Sequence, residues 1–258
     1  MLLTWKPSPV LLASFAQFFG AGAGYLVWWY AVTLKGTPLE EIWLPVVASS
    51  IVASLSGKYF LKLPNWWLPI NAVFIPAVVG ALSLNLPGWA YLLAFVLTLA
   101  IFWNVRSERV PLYLTNPTTC HTLSKMLPDR PGARFMDLGS GLSGTIHFLA
   151  RQHPDMQFSG VESAPIPFIL SKIRQRVSGQ SNLEVSHRNM WAVDLSEFDI
   201  VYCFLSPAPM TRLFEKARSE MKPGSILISN SFEVENHPPH ERHHVMDPRQ
   251  TQILIWRF

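Results

Sequence analysis

The first 105 residues of this 258-residue chain hold six charged side chains: Lys6, Lys35, Glu40, Glu41, Lys58 and Lys62. That scarcity constrains the fold more than any other feature. Residues 7–34 and 63–105 are uncharged throughout, and residues 42–57 form a shorter uncharged run. A membrane-spanning helix needs about 20 apolar residues, and a charge at its centre costs roughly 2.5–3.5 kcal/mol on insertion scales. The pattern predicts one helix in 7–34 and a second from 42 to about 61, with Lys58 snorkelling. Two more fit in 63–105, broken at Leu86-Pro87-Gly88. The expectation is an α-helical transmembrane region of about four spans over residues 1–105, followed by a separate α/β domain over 106–258.

Aromatic and basic residues support this division. Eight of the ten Trp lie in the first part, at Trp5, Trp28, Trp29, Trp43, Trp66, Trp67, Trp89 and Trp103. Each falls near an expected helix end, as in interfacial aromatic belts. Four spans put Lys6, Lys58, Lys62, Arg106 and Arg109 on one side and Lys35 on the other. By the positive-inside rule the α/β domain then faces the cytoplasm, from a multi-pass protein of a bacterial inner membrane or an organellar membrane. A cleaved signal peptide is the competing reading of Lys6 and the following run, which is long for one. Gly20 and Gly24 form a GxxxG, expected to pack helices closely.

Residues 106–258 hold 17 Lys and Arg against 15 Asp and Glu, with no clustered basic face. That excludes nucleic acid as the expected partner. Membrane lipids are expected partners instead. Two cysteines, Cys120 and Cys203, make no disulfide framework. The segment 237–244 contains four His, but its spacing matches no standard metal site. It reads as a polar surface loop, and no metal is expected.

Strand and helix patterns alternate through this half. Strands are expected at 134–138, 157–161, 182–185, 199–204 and 225–229, with helices at 120–126, 145–150, 165–177 and 210–221. A closing hairpin is expected from 243–246 and 251–256. Such alternation gives a mostly parallel sheet with helices on both faces, and its ligands bind beyond the carboxyl ends of the strands. The first strand runs into Asp137-Leu138-Gly139-Ser140-Gly141-Leu142-Ser143-Gly144. Glycines there let a ligand approach the backbone at a helix N-terminus. The loop also satisfies GxGxxG, with Glu162 about 20 residues on, as in dinucleotide enzymes. Three features oppose a dinucleotide. Asp137 would repel a pyrophosphate but accept from an ammonium. Asn189 and Met190, with Trp191, follow the third strand, where an amide reads an adenine edge and an apolar side chain packs on its face. A substrate domain of the usual dehydrogenase sort is not expected.

Asp137-x-Gly139-x-Gly141, Glu162 and Asn189-Met190 resemble the successive motifs of class I S-adenosylmethionine-dependent methyltransferases. Over residues 110–258 the resemblance implies a Rossmann-like fold and S-adenosyl-L-methionine as cofactor. It implies that Asp137, Gly139, Ser140 and Gly141 cradle the methionine part, Glu162 and Ser163 hold the ribose, and Asn189, Met190 and Trp191 hold the adenine. A membrane segment followed by Pro111-Leu112-Tyr113-Leu114-Thr115 and the DLGSG loop is similar to the mitochondrial membrane-anchored protein-lysine methyltransferases of the adenine nucleotide translocase and ATP synthase c-subunit type. Tyr113 and Thr115 would close over the cofactor carboxylate. This chain differs in its four expected spans and in Leu142, where an acidic residue commonly stands.

Methyl transfer is an in-line displacement that an enzyme promotes mainly by proximity and a matched polar cleft. Phe204, Leu205, Ser206 and Pro207, after the fourth strand, are expected to face the substrate. Ser206 also reads as a helix cap before Met210. The Asn/Asp-Pro-Pro-Tyr of many amino-methylating enzymes is absent, so no general base is assigned. The expected acceptor is a lysine of a membrane protein, and then a lipid or isoprenoid head group. A non-catalytic sensor or assembly factor that binds the cofactor is the remaining reading.

Overall fold

The computed structural model describes residues 7–35, 42–104 and 108–258. The expected anchors Trp5, Lys6 and Arg106 lie outside these residues. The chain folds as two compact units, Met1–Tyr91 and Leu92–Phe258. The first unit contains α1 (Pro9–Lys35), α2 (Trp43–Leu55), a single π-turn at Ser56–Phe60 and α3 (Trp67–Ser83). It also contains the start of α4 (Gly88–Ile101). Gly20 sits where α1 crosses α2, since a Cβ there would lie 2.5 Å from the Ser49 carbonyl oxygen and 2.8 Å from Ala53 Cβ. Gly24 meets Ser49 in the same way. The GxxxG thus sets the α1–α2 approach. Inside the bundle, Gln17 Nε2 donates to both the carbonyl and Oδ1 of Asn71, each at 3.1 Å. Phe18, Phe60, Val73 and Phe74 point outward and exposed.

The number of spans needs correction. All four apolar stretches contain helix, but among the described residues only α1, over Pro9–Thr33, is long and apolar enough to cross a membrane. At about 1.5 Å per residue the 17 residues of α3 and 14 of α4 reach less than the ~30 Å of a hydrocarbon core. The reason is in the connections. Lys62 and Asn85 adopt positive φ, 53° and 49°, and Pro64 and Pro87 follow them. Each break therefore consumes apolar residues that a hydropathy reading assigns to the spans.

The second unit is a three-layer α/β domain. Its elements are α5 (Pro117–Met126), β1 (Arg134–Leu138), α6 (Gly144–Gln152), β2 (Gln157–Glu162), α7 (Pro165–Ser178), β3 (Leu183–His187), β4 (Ile200–Cys203), α8 (Pro207–Glu220), β5 (Ile226–Asn230), β6 (Glu241–His244) and β7 (Gln252–Arg257). Asn116 caps α5 by accepting from Thr119 N at 2.8 Å, with Pro117 at the first helical position. Seven strands lie in the order β3-β2-β1-β4-β5-β7-β6. The first five are parallel, and β7 runs antiparallel between β5 and β6. The order reverses between β1 and β4, which is where ligands of such sheets bind.

Side-chain alternation divides the core in two. Phe135, Phe158, Tyr202 and Ile228 pack with Leu123, Ile146 and Leu149 under α5 and α6. Met136, Val201, Leu227 and Trp256 pack with Met210, Leu213 and Ala217 of α8. Asp137 shares the face of Phe135 and stands level with Gly160 on β2 and Tyr202 on β4. Gly160 is required there: a Cβ would lie 2.6 Å from Ile146 Cδ1 and 2.9 Å from Ser140 Oγ. Gly160→Val is therefore expected to overpack the sheet and cost about 1–3 kcal/mol, read as a lowered thermal midpoint of the full chain in detergent.

The His-rich segment is only partly a loop. His243 and His244 lie in β6. His237 stacks on Phe214 with centroids 4.4 Å apart, and its carbonyl accepts from Trp256 Nε1 at 3.0 Å.

Candidate cofactor site

β1 delivers Asp137 to the carboxyl edge of the sheet, and the loop beyond it turns through positive φ at Gly139 (74°) and Gly141 (54°). Both conformations favour glycine. Space also favours it: a Cβ on Gly141 would lie 2.9 Å from Leu112 Cδ1, and one on Gly139 3.2 Å from Leu205 Cδ2. The loop is pinned from β2. Gly139 N and Ser140 N both donate to the Val161 carbonyl, at 3.0 and 2.9 Å. Gly141 N donates to Glu162 Oε2 at 2.9 Å, and Ser171 Oγ donates to the Gly141 carbonyl at 2.6 Å.

Glu162 is buried, and it organises this edge. Its Oε1 accepts from Ala164 N at 2.7 Å and from Asn104 Nδ2 at 2.9 Å. Ser163 Oγ in turn donates to Asn104 Oδ1 at 2.8 Å. One side chain at the end of the apolar region thus bridges both residues expected at the ribose. Asn104 was not legible as a site residue, because it ends an uncharged run that reads as membrane segment. Its only signal is an amide among apolar neighbours just before Arg106.

Two cavities flank Gly139. One, of about 50 Å³, is lined by Asn104, Glu162, Ser163, Asn189, Met190 and Leu205. The other, of about 330 Å³, is lined by Thr115, Cys120, Asp137, Ser140, Arg174 and Tyr202. Tyr113 and Phe204 line both, and their rings stack with centroids 5.0 Å apart and planes 20° apart. Ser140 Oγ is buried without a partner among the described residues.

Asp137 is 3% exposed, and among the described residues its carboxylate has no hydrogen-bond partner. Burial, and then the nearby Glu162, push its carboxyl up to about 8. A buried carboxylate in that position favours a cationic ligand group. Beside it, Tyr202 accepts from Asn230 Nδ2 at 3.0 Å and shares a 2.9 Å bond with Thr115 Oγ1. Burial holds its phenol far above the ordinary tyrosine range. Thr115 thereby anchors the segment before α5 over the larger cavity.

Three of the expected site residues lie elsewhere. Trp191 lines neither cavity: its ring lies under the Arg212 guanidinium, 3.9 Å from the centroid, against the α8-side core. The cause is the tight 3-10 turn Met190–Ala192, which Asn189 caps by accepting from Trp191 N at 2.9 Å. Met190 is left facing the cavity and Trp191 turns toward α8. Ser206 and Pro207 also line neither cavity, because the chain enters α8 there. Ser206 is the N-cap by backbone position, yet its side chain makes no cap bond, and its buried Oγ has no partner among the described residues. The residues after β4 that reach the cleft are Phe204 and Leu205. Arg174, at the rim of the larger cavity, has no sequence signal pointing to it.

Lined in common by Tyr113, Gly139 and Phe204, the two cavities form two arms whose groups suit an adenosine in one and an ammonium in the other. The smaller arm carries the acid-bearing wall of Glu162 with Asn189 and Met190. The larger arm carries the unpaired Asp137, with Arg174 at its rim for a carboxylate. An ammonium there would stabilise the ionised form of Asp137, which a pyrophosphate would not.

Residues 137–241 match the family model described as the ANTKMT methyltransferase domain. No curated protein matches the chain. Among solved structures, the chain is similar to an RNA methyltransferase from Salinibacter ruber in complex with S-adenosyl-L-homocysteine. Identity is 19% and the TM-score 0.52, over 56% of this chain and 93% of that one. It is also similar to precorrin-6y C5,15-methyltransferase from Geobacter metallireducens, at 12% identity and TM-score 0.47, covering 56% and 90%. The B. subtilis M1A22 tRNA methyltransferase TrmK is a further similar structure, at 16% identity and TM-score 0.46, covering 55% and 66%. The chain carries an S-adenosylmethionine-dependent methyltransferase domain over residues 137–241, within a Rossmann-like fold.

Proposed function

We propose that this protein is a membrane-bound methyltransferase whose acceptor is an amine, a lysine of a neighbouring membrane protein. One observation carries the cofactor end of this reading: the buried carboxylate of Asp137, unpaired among the described residues, beside a glycine loop that Glu162 pins. Asp137 would hold the cofactor ammonium, and Glu162 with Ser163 and Asn104 the ribose. Asn189 and Met190 would take the adenine. When bound, the cofactor supplies an activated methyl group. Phe204 and Tyr113 wall both arms, and Leu205 walls the smaller one.

An acceptor amine must be neutral to react. These apolar walls favour that form, since desolvation lowers the pKa of an amine. Tyr202 is not a base for this step, because its oxygen is held by two partners and its phenol is hard to ionise. The match to the ANTKMT methyltransferase domain supports a protein lysine over a lipid or isoprenoid head group. The long apolar α1 and the outward-facing apolar side chains around it support anchoring in a bacterial inner membrane or organellar membrane. With α1 as the span, Lys6 alone precedes it and Lys35, Lys58, Lys62 and Arg109 follow it, which favours the domain on the cytoplasmic side; the partners are lipids and the acceptor protein.

Purified full-length protein incubated with its own membranes and cofactor labelled in the methyl group tests this. Label is expected in a protein band and on lysine after hydrolysis. Label confined to the lipid extract would move the acceptor to a head group. Tight cofactor binding without any turnover would leave a sensor or assembly role instead.

A further inference from the structure

Seven large hydrophobic side chains are exposed between residues 108 and 258, and four of them lie on α7. Ile169 and Leu170 are each 49% exposed, Ile173 52% and Val177 83%. At about 100° per residue they fall on one stripe roughly 100° wide, with Ile166 inside it. Arg176 stands at one edge and Arg174 at the other, both exposed. The helix has three basic residues, Lys172, Arg174 and Arg176, and no acidic one. Among the described residues, neither arginine has a carboxylate partner. On the opposite face of the sheet, α8 carries Glu215 and Glu220 and exposes no large hydrophobic side chain.

A stripe of aliphatics bordered by arginines does not bury itself in this domain, and it matches the pattern of helices that lie in a bilayer interface. Long basic side chains at its edges reach phosphates while the aliphatics enter the acyl boundary. One flank of the same helix reaches the cleft: Pro167 lines the smaller cavity and Arg174 the larger.

We propose that the outer face of α7 is a docking surface for an anionic lipid bilayer, which holds the mouth of the cofactor cleft at head-group depth. The proposal rests on the membrane reading of α1, and the test separates the two. Cys120 and Cys203 are both buried, so a nitroxide reacts selectively at an introduced cysteine. The full chain is reconstituted into phosphatidylcholine vesicles with and without phosphatidylglycerol. Labels are placed singly in I173C, V177C, F18C on α1 and R218C on α8. In mixed vesicles the labels at 173 and 177 are expected to collide more with oxygen than with a water-soluble nickel chelate, as the label at 18 does. The label at 218 is expected to show the reverse. In phosphatidylcholine alone, 173 and 177 are expected to shift toward the chelate.

Water-like accessibility at 173 and 177 with 18 in lipid would overturn the docking surface and leave the membrane reading intact. Water-like accessibility at all four would overturn both. Equal immersion in both vesicle types would overturn the anionic preference, and spin–spin broadening at 177 would assign the face to a second copy of the chain instead.

Discussion

Glu162→Ala is expected to weaken cofactor binding at least about 100-fold in calorimetric titration with S-adenosylhomocysteine. The carboxylate accepts from Gly141 N, Ala164 N and Asn104 Nδ2, and alanine leaves all three donors without it. A buried donor without a partner costs about 1–3 kcal/mol, and about 1.4 kcal/mol is tenfold in affinity. Two such donors destabilise the ordered glycine loop by about that much, and a loop that must re-order on binding passes this cost to the affinity. Glu162→Gln is expected to fall between the two, since its amide nitrogen must face at least one N–H. Circular dichroism of each variant separates a collapsed loop from an unfolded domain. Unchanged affinity in a folded Glu162→Ala protein would remove Glu162 from the site.

Cofactor affinity is also expected to rise with pH up to about 8, by as much as about tenfold per unit. Asp137 is held protonated by burial and by Glu162 until about pH 8. Pairing it with an ammonium requires its ionised form, so binding releases a proton below that pH. Above it, an α-amino group of ordinary pKa, about 8, begins to lose its own proton and affinity falls again. The stability of the ligand-free protein should run the other way. Asp137 ionises at about pH 4 when unfolded and at about 8 when folded. The unfolded chain therefore binds fewer protons through that window, and stability falls as pH rises from about 4 to about 8. Asp137→Asn is expected to flatten both profiles and to weaken binding at about pH 8. Titrations and melts at about pH 6, 7 and 8 read both effects, and a binding profile that keeps its slope in Asp137→Asn would assign the proton to another group.

That Asp137, Gly139, Gly141 and Glu162 meet at one sheet edge could be read from sequence because their geometry is local. A strand that ends in an acid and turns through two glycines has few alternative uses, and the second strand must end beside it. The parallel sheet with its closing hairpin was legible for the same reason, from period-two alternation and turn residues. Asn104 was not, because its meaning comes from Glu162 and Ser163, more than 50 residues away. Trp191 and Ser206 escape a sequence reading through the same kind of limit: one residue of rotation in a tight turn decides which side chain faces a cleft. The count of spans fails because hydropathy reads composition. The bends at Lys62 and Asn85 shorten the helices without changing their apolar character.

The bridge from Asn104 to Glu162 and Ser163 carries a reciprocal obligation. Glu162 Oε1 holds Asn104, while Oε2 of the same carboxylate holds the Gly141 amide. Any tension, lateral pressure or partner that displaces residues 101–104 thus acts on the carboxylate that pins the glycine loop. Thermodynamic linkage then fixes the return effect: the factor by which such a displacement changes cofactor affinity is the factor by which bound cofactor resists the displacement. Cofactor occupancy and the position of residues 101–104 are in this way two readings of one equilibrium.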